Sequence, residues 1–468
     1  MLTLHPDLEM LWQITEWVIR LSALAVIPLR RTPTAAASWL LLIFFFPMVG
    51  LPLYLLIGRP RFPKAREERW KALRPFHADV AARLEAAAGC DPTDVQAFAR
   101  ELGRMPCATG NTIELIDDYD KVFDRLVDDI DAARSSVDLL VYILADDAVG
   151  QRIADALQRA VGRGVRCRVM FDYVGSGRWR RGTLRMLRAT GAEIRTALPV
   201  RLIRRRSRAD MRNHRKLFVI DGTIGYAGSQ NIVAKDFRPG VVNRELVARV
   251  TGPVVASMVA VIAADWWIES SEEALPPSVS IPDKVGDAQA QLLPTSADYR
   301  MEGFETLLVW QLHRARNHVV LVTPYFVPDE GVIGAMRSAA ARGVRVDLVV
   351  SAVVDQRIVH LAQCSYFEEL LAAGVRVHEY RDFLLHAKTV CVDDTLGIVG
   401  SSNVDLRSFQ LNEEASLLLY DATTIARLKE IQAGYLGGSD MVDLESWRAR
   451  SWARRLPENI ARIMSALL

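Results

Sequence analysis

The longest uncharged apolar stretch, residues 39–57 (WLLLIFFFPMVGLPLYLLI), predicts a helix over about residues 35–57. At helical rise such a run reaches across a hydrocarbon core of about 30 Å. Pro47 and Pro52 kink it, which a membrane helix tolerates better than a soluble one. A weaker apolar run covers residues 11–29 and contains Glu16 and Arg20, four apart and able to pair on one helix face. A spanning helix and an interfacial helix both fit it; its length, with Trp12 and Trp17 near one end, favours spanning. The two runs together predict an N-terminal transmembrane hairpin. A cleaved signal peptide does not fit, because no basic segment precedes the first run and no small-residue cleavage site follows it. Only Arg30 and Arg31 lie between the runs, whereas Arg59, Arg61, Lys64, Arg66, Arg69, Lys71 and Arg74 follow the second. This asymmetry predicts both termini on the cytoplasmic side and favours an anionic leaflet.

Beyond the anchor the apolar pattern repeats. Residues 133–144 (ARSSVDLLVYIL), a helical stretch and residues 163–172 (RGVRCRVMFD) return as residues 315–326 (ARNHVVLVTPYF), a helical stretch and residues 342–351 (RGVRVDLVVS). Each copy reads as strand, crossover helix, strand, preceded by an amphipathic helix over residues 119–134 or 304–316. The expected fold is α/β: two lobes with mixed sheets, related by a pseudo-twofold axis, with the site at their interface. The expected division is an anchor (1–62), a polar connector (63–108), a first lobe (109–275), a linker (276–288) and a second lobe with an amphipathic tail (289–468).

Composition adds little. Of 468 residues, 50% are apolar and 24% charged, which suits a folded chain of more than one domain. Five scattered cysteines lack the spacing of a zinc site or a disulfide scaffold.

The chemistry lies where each copy ends. The first carries His214-Arg215-Lys216, Asp221-Gly222 and then Gly228-Ser229-Gln230-Asn231; the second carries His386-Ala387-Lys388, Asp393 and then Gly400-Ser401-Ser402-Asn403. An acidic residue follows in each, Glu245 or Glu414. Residues i and i+2 of a strand face one way, so each His and Lys project together. Two such strands give two imidazoles and two ammonium groups around one point, with Ser and Asn as neutral donors. That set suits a tetrahedral phosphate. One imidazole can attack phosphorus while the other protonates the leaving oxygen. A buried carboxylate such as Glu245 or Glu414 fixes each ring's tautomer. The lysines supply the charge a metal otherwise would, so neither metal nor cofactor is called for.

These motifs resemble the phospholipase D superfamily. The hairpin with Arg30-Arg31-x-Pro33 and Gly50-x-Pro52-x-Tyr54, residues 212–222 (RNHRKLFVIDG), residues 323–330 (TPYFVPDE) and the closing ARIMSALL resemble bacterial cardiolipin synthases within it. The resemblance implies condensation of two phosphatidylglycerols into cardiolipin and glycerol; the expected location is the bacterial inner membrane, with the lobes cytoplasmic as the basic cluster predicts. It implies a phosphohistidine on His214, His386 as acid and then base, and Lys216, Lys388, Asn231 and Asn403 on phosphate oxygens. Asp221 and Asp393, although part of the catalytic motif, are expected to be structural. Two departures stand out: Asp394 in place of a glycine like Gly222, and Glu413 where an aromatic residue is expected before Glu414.

Residues 201–216 (RLIRRRSRADMRNHRK) are strongly basic. They read as a solvated loop or, preferred here, as a patch of Arg204, Arg205, Arg206 and Arg212 that draws anionic lipid headgroups. Nucleic acid would be attracted alike, but the membrane run favours phosphatidylglycerol and the bilayer as partners. The tail 447–468 suits either the bilayer surface or docking on the second lobe. The alternatives are a hydrolase (a phospholipase D or a membrane-tethered nuclease) using the same residues, and a non-enzymatic lipid-binding membrane protein.

Overall fold

The computed structural model describes residues 6–31, 33–58, 62–200, 210–297, 299 and 303–464. Among them one sheet of fifteen strands runs through both lobes. Its centre is the antiparallel contact of Ala108–Ile116 with Ala288–Thr295, where Ala108 faces Ala290 and Asn111 faces Ala288. Outward on the first side come Val247–Thr251, Ile224–Gly228, Leu217–Ile220, Ser136–Val141, Arg166–Asp172 and Glu193–Ala197. On the other side the same order recurs as Glu414–Leu419, Leu396–Gly400, Thr389–Val392, His318–Val322, Arg345–Ser351 and Arg376–Tyr380, closed by Ser439–Met441. The repeat therefore folds as the sequence pattern predicts. The parallel pairs Ser136–Val141 with Arg166–Asp172 and His318–Val322 with Arg345–Ser351 each carry a crossover helix, Ala148–Gly162 or Glu330–Ala341. These strands are buried along nearly their whole length, as apolar runs without alternation should be.

The motif aspartates sit at the hairpin turn that follows each motif strand, not in the site. Asp221 (φ 52°) and Gly222 (φ 67°) take the left-handed backbone of a tight hairpin, and Asp393 (φ 50°) does the same. The Asp221 carboxylate accepts from the backbone N–H groups of Arg134 (2.9 Å), Ser135 (2.7 Å) and Ser136 (2.9 Å). Asp393 accepts from those of Arg316 (3.0 Å), Asn317 (2.8 Å) and His318 (2.9 Å). Each carboxylate thus satisfies three backbone donors where the neighbouring strand begins. Asp394 pairs with Lys429 on the surface.

Residues 63–108 are more than a connector. Helices Lys64–Ala72 and Arg74–Ala88, with Leu73 between them, bury Trp70, Leu73, Phe76 and Val80 against Trp267 and Ile268 of helix Val255–Ile268, and helix Asp94–Gly103 buries Ala99 and Leu102 in the second lobe's core. Arg66 and Arg69 of the basic cluster turn inward. Arg66 is buried between Glu269 (2.5 Å) and Glu413 (2.6 Å), and Arg69 lies 3.9 Å over the Trp267 ring.

At the N-terminus the expected pair of helices is three: Pro6–Val26, Pro33–Phe45 and Pro47–Ile57. Glu16 and Arg20 pair at 2.9 Å as their spacing predicts, and Arg20 also donates to the Phe44 carbonyl. The expected helix over 35–57 is interrupted at Phe46-Pro47, because proline cannot donate to the preceding turn. The chain folds back there. Trp39 and Tyr54 meet edge-on with centroids 5.4 Å apart, although fifteen residues of continuous helix span about 22 Å. Gly50 permits the close approach, since a Cβ there would lie 2.9 Å from Ile43 Cα. Among the described residues no helix is long and apolar enough to cross a membrane.

Asp393→Ala removes an acceptor that holds three backbone donors. It is expected to lower stability by about 1–3 kcal/mol in a denaturant titration. Turnover per folded molecule should stay within about twofold, because the carboxylate is no part of the cavity. A large loss of turnover at unchanged stability would contradict this placement.

Candidate active site

Each motif histidine lies where its lobe crosses to the other. Asn213 bridges in parallel to Glu413, so the His214 N–H donates to the Glu413 carbonyl at 2.8 Å. In the mirror arrangement Leu384–Leu385 pairs with Asn243–Arg244, and the His386 N–H donates to the Arg244 carbonyl at 2.8 Å. This register sets each imidazole against the other lobe's carboxylate. His214 Nδ1 lies 3.1 and 3.2 Å from the two oxygens of Glu414, and His386 Nδ1 lies 2.8 Å from Glu245. Both carboxylates therefore hold the rings through Nδ1 and leave Nε2 for chemistry. Asn243 and Asn412, each two residues before its glutamate, donate to Glu245 and Glu414 at 3.4 Å. The Ser401 hydroxyl donates to Glu414 at 2.5 Å, while the Ser229 hydroxyl donates to the Leu246 carbonyl at 3.2 Å. The two serines support the carboxylate strands rather than the cavity wall.

Both histidines open onto one cavity of about 370 Å³, with Asn231 and Asn403 also on its wall. Asn231 accepts from the Ile143 N–H at 3.0 Å, which fixes its amide. Lys216 and Lys388 are buried just behind, each donating to the carbonyl of its own motif histidine at 2.6 Å. Burial lowers the Lys216 ammonium to about 7 and that of Lys388 to about 8. Burial also lowers His386 to about 4 and pulls His214 below its ordinary value. For Glu245 and Glu414 burial opposes ionisation, but the facing imidazole and lysines prevail and hold both carboxyls below the usual range. At rest the site holds two ionised carboxylates, two neutral imidazoles and two easily discharged ammonium groups. Two lysines and two imidazoles converging on one cavity suit a phosphate diester, whose oxygens need positive charge and hydrogen-bond donors.

Of the basic patch, Arg204, Arg205 and Arg206 lie outside the described residues. Arg212 does not belong to a surface patch: it is buried, 3.2 Å from Asp172, with its guanidinium also donating to the Leu198 carbonyl at 2.9 Å. It nevertheless lines the cavity. Asp172, buried at the end of its strand, is raised by that burial to about 6. Below the histidines lies a buried ionic layer in which Arg215 holds Asp265 at 2.6 Å and donates to the Glu414 carbonyl at 3.1 Å.

Several site residues were not singled out from the sequence. Tyr142 packs on His214 with centroids 4.5 Å apart, and Tyr325 approaches His386 at 6.3 Å. Both lie in the repeated segments but one position out of step, which hides their equivalence. Arg238 of the first lobe, which lines the cavity, ion-pairs with Asp355 of the second, and the cavity-lining Tyr325 also donates to Asp355 at 2.7 Å. Glu413, the residue in place of an aromatic, is the buried partner of Arg66. The shared Asn-x-Glu spacing was the one signal that could have revealed Asn243 and Asn412.

The family profile described as "Cardiolipin synthase, PLD-like domain" matches residues 126–267 and 308–433, and "Phospholipase_D-nuclease N-terminal" matches residues 18–59. The chain is 33% identical over 463 residues to cardiolipin synthase A of Serratia proteamaculans, covering 95% of each chain. It is 32% identical to cardiolipin synthase A of Salmonella arizonae, covering 100% of each. Among solved structures, a phosphatidylserine synthase of Haemophilus influenzae shares the fold with TM-score 0.59 and 16% identity, over 80% of this chain and 96% of that one. A polyphosphate kinase of Porphyromonas gingivalis does so with TM-score 0.51 and 17% identity, over 74% of this chain and 49% of that one.

Glu245→Gln keeps the shape of the His386 contact but removes its charge, and is expected to lower kcat about 10²-fold with the fold intact. The same change at Glu414 should act through His214. A His214→Ala, Glu414→Gln double variant should then be no slower than His214→Ala alone. Independent, additive losses in rapid kinetics would contradict the cross-lobe pairing. In the free enzyme the lysines lose charge as pH rises through about 7 and 8. kcat/KM should accordingly fall above that range, while kcat falls only at higher pH, since bound phosphate raises both lysines. Coincident alkaline limbs would argue against an electrostatic role of the lysines toward phosphate.

Proposed function

The chain belongs to the cardiolipin synthase family of phospholipase D-like proteins, and we propose that it makes cardiolipin from two molecules of phosphatidylglycerol, releasing glycerol. The observation that carries this reading is one cavity bearing two imidazoles, each held through Nδ1 by the opposite lobe's carboxylate. In the first step His214 Nε2 bonds to the donor's phosphorus. The bond to the glycerol headgroup oxygen breaks, and the protonated His386 gives that oxygen its proton as glycerol leaves. Entry of the phosphate anion supplies the field that protonates His386, a ring that burial otherwise keeps neutral. In the second step neutral His386 takes the proton of the acceptor's headgroup hydroxyl, whose oxygen attacks phosphorus and frees His214. Lys216, Lys388, Asn231 and Asn403 stabilise the phosphate oxygens, the lysines from behind the wall by their charge.

The N-terminal helices, with most of their large apolar side chains exposed, seat the enzyme in the membrane. Lys64, Lys71 and Arg74, exposed just beyond them, favour a cytoplasmic, anionic surface. Confinement of enzyme and both lipids to one surface raises their effective concentration and helps an alcohol compete with water.

Full-length protein in phosphatidylglycerol vesicles is expected to yield cardiolipin and glycerol in equal amounts by mass spectrometry, and His214→Ala to yield neither. Phosphatidic acid with glycerol as the main products would replace this reading with a phospholipase. No turnover of lipid, but cleavage of nucleic acid, would replace it with a nuclease.

A further inference from the structure

We propose that the C-terminal helix Trp452–Met464 is a second contact with the bilayer, continuous with the N-terminal helices; the proposal extends the membrane-bound reading above. The helix has two opposed faces. One docks on the second lobe along helix Arg357–Ala372. There Ala461 and Glu458 are buried, Arg455 pairs with Glu368 at 2.7 Å, and Arg462 lies 4.3 Å over the Tyr366 ring. The other face carries Trp452 (76% exposed), Leu456 (50%), Ile460 (50%) and Ile463 (55%). At about 100° per residue these four fall within an arc about 80° wide, pointing away from the lobe. No described residue covers them to any large extent.

Docking on the lobe, one of the two expectations for this tail, therefore accounts for only half of the helix. The occupant of the other half is indicated by what adjoins it. The Ser38 hydroxyl donates to the Ile463 carbonyl at 2.9 Å, tying the end of this helix to Pro33–Phe45. That anchor exposes Leu41, Phe44 and Phe45, and its neighbour exposes Leu53, Leu55 and Leu56. The apolar face of the tail is thus joined to a surface that already needs lipid. Trp452 at one end and the exposed Arg454 suit an interfacial helix bordering anionic headgroups. The contact also has a bearing on catalysis. The helix on which the tail docks carries Val359, part of the cavity wall. The second lobe is so held to the leaflet by the element that borders the substrate.

The test uses the full chain with Cys90→Ser, carrying one environment-sensitive fluorophore at Leu456→Cys or Ile460→Cys. A fluorophore at Arg427→Cys, an exposed position on the second lobe, serves as control. In phosphatidylglycerol vesicles, nitroxide-bearing phospholipid should quench the tail positions strongly and the control weakly, and aqueous iodide the reverse. Iodide quenching at the tail equal to that at the control would overturn the proposal. So would concentration-dependent energy transfer between copies with no lipid quenching, which would make this face a contact between copies. The Leu456→Glu, Ile460→Glu double variant should lose about tenfold in kcat/KM on vesicles while retaining its rate in detergent micelles. Because quenching needs no turnover, a chain that quenches as expected but makes no cardiolipin refutes the proposed reaction and leaves this contact standing.

Discussion

The site depends on an exchange between lobes. Neither copy of the motif supplies the carboxylate for its own histidine: Glu414 serves His214 and Glu245 serves His386. Two short parallel pairings impose this, Asn213 with Glu413 and Leu384–Leu385 with Asn243–Arg244. A strand register shifted by one residue would turn the histidines to the opposite face. The continuous sheet through Ala108 and Ala290 fixes the lobes rigidly enough to make so fine a register possible. A single lobe would hold a histidine and a lysine but no oriented ring. Duplication is therefore a condition of the chemistry as well as a route to symmetry.

Such a site requires charge to be buried, and the surrounding layer shows how it is tolerated. Arg215 is matched by Asp265, and Arg66 by Glu413 and Glu269, each at hydrogen-bond distance. Buried pairs of this kind seldom add net stability, but removing one partner leaves an uncompensated charge. What the layer provides is position. Glu413 fixes the His214 backbone through its carbonyl, while its side chain is fixed by a helix that begins only seven residues after the third N-terminal helix ends. The segment that follows the N-terminal helices and the candidate active site are thus linked by one buried ion pair.

Much of this was legible in the sequence. The strand–helix–strand repeat, the two motifs and the downstream glutamates are local patterns, and burial of parallel strands follows from their unbroken apolar runs. The partner of each glutamate was not legible, because pairing across lobes is a property of docking that spacing does not encode. Arg212 and Arg66 were misplaced for a similar reason. A basic run looks exposed until buried acids such as Asp172 and Glu413, distant in sequence, are brought beside it. The anchor failed at Pro47: a proline tolerated within a spanning helix is equally the point at which a chain turns back. The packing of Trp39 on Tyr54 and the close approach of Gly50 to Ile43 distinguish the two.

The two copies, near-identical as motifs, have become unequal in their surroundings. His386 is held at 2.8 Å by Glu245, whereas His214 lies 3.1 and 3.2 Å from the oxygens of Glu414 and packs more closely on its tyrosine. A short contact to an ionised carboxylate favours the ring that must carry a proton. A ring less tightly held by charge retains the neutral nitrogen that a nucleophile needs. The difference extends to the residues before the glutamates: Arg244 pairs outward with Asp117 at 3.3 Å, and Glu413 pairs inward with Arg66. Paired acid and base roles require unlike environments. The departures from the repeat supply unlike environments, as the roles proposed for His214 and His386 require.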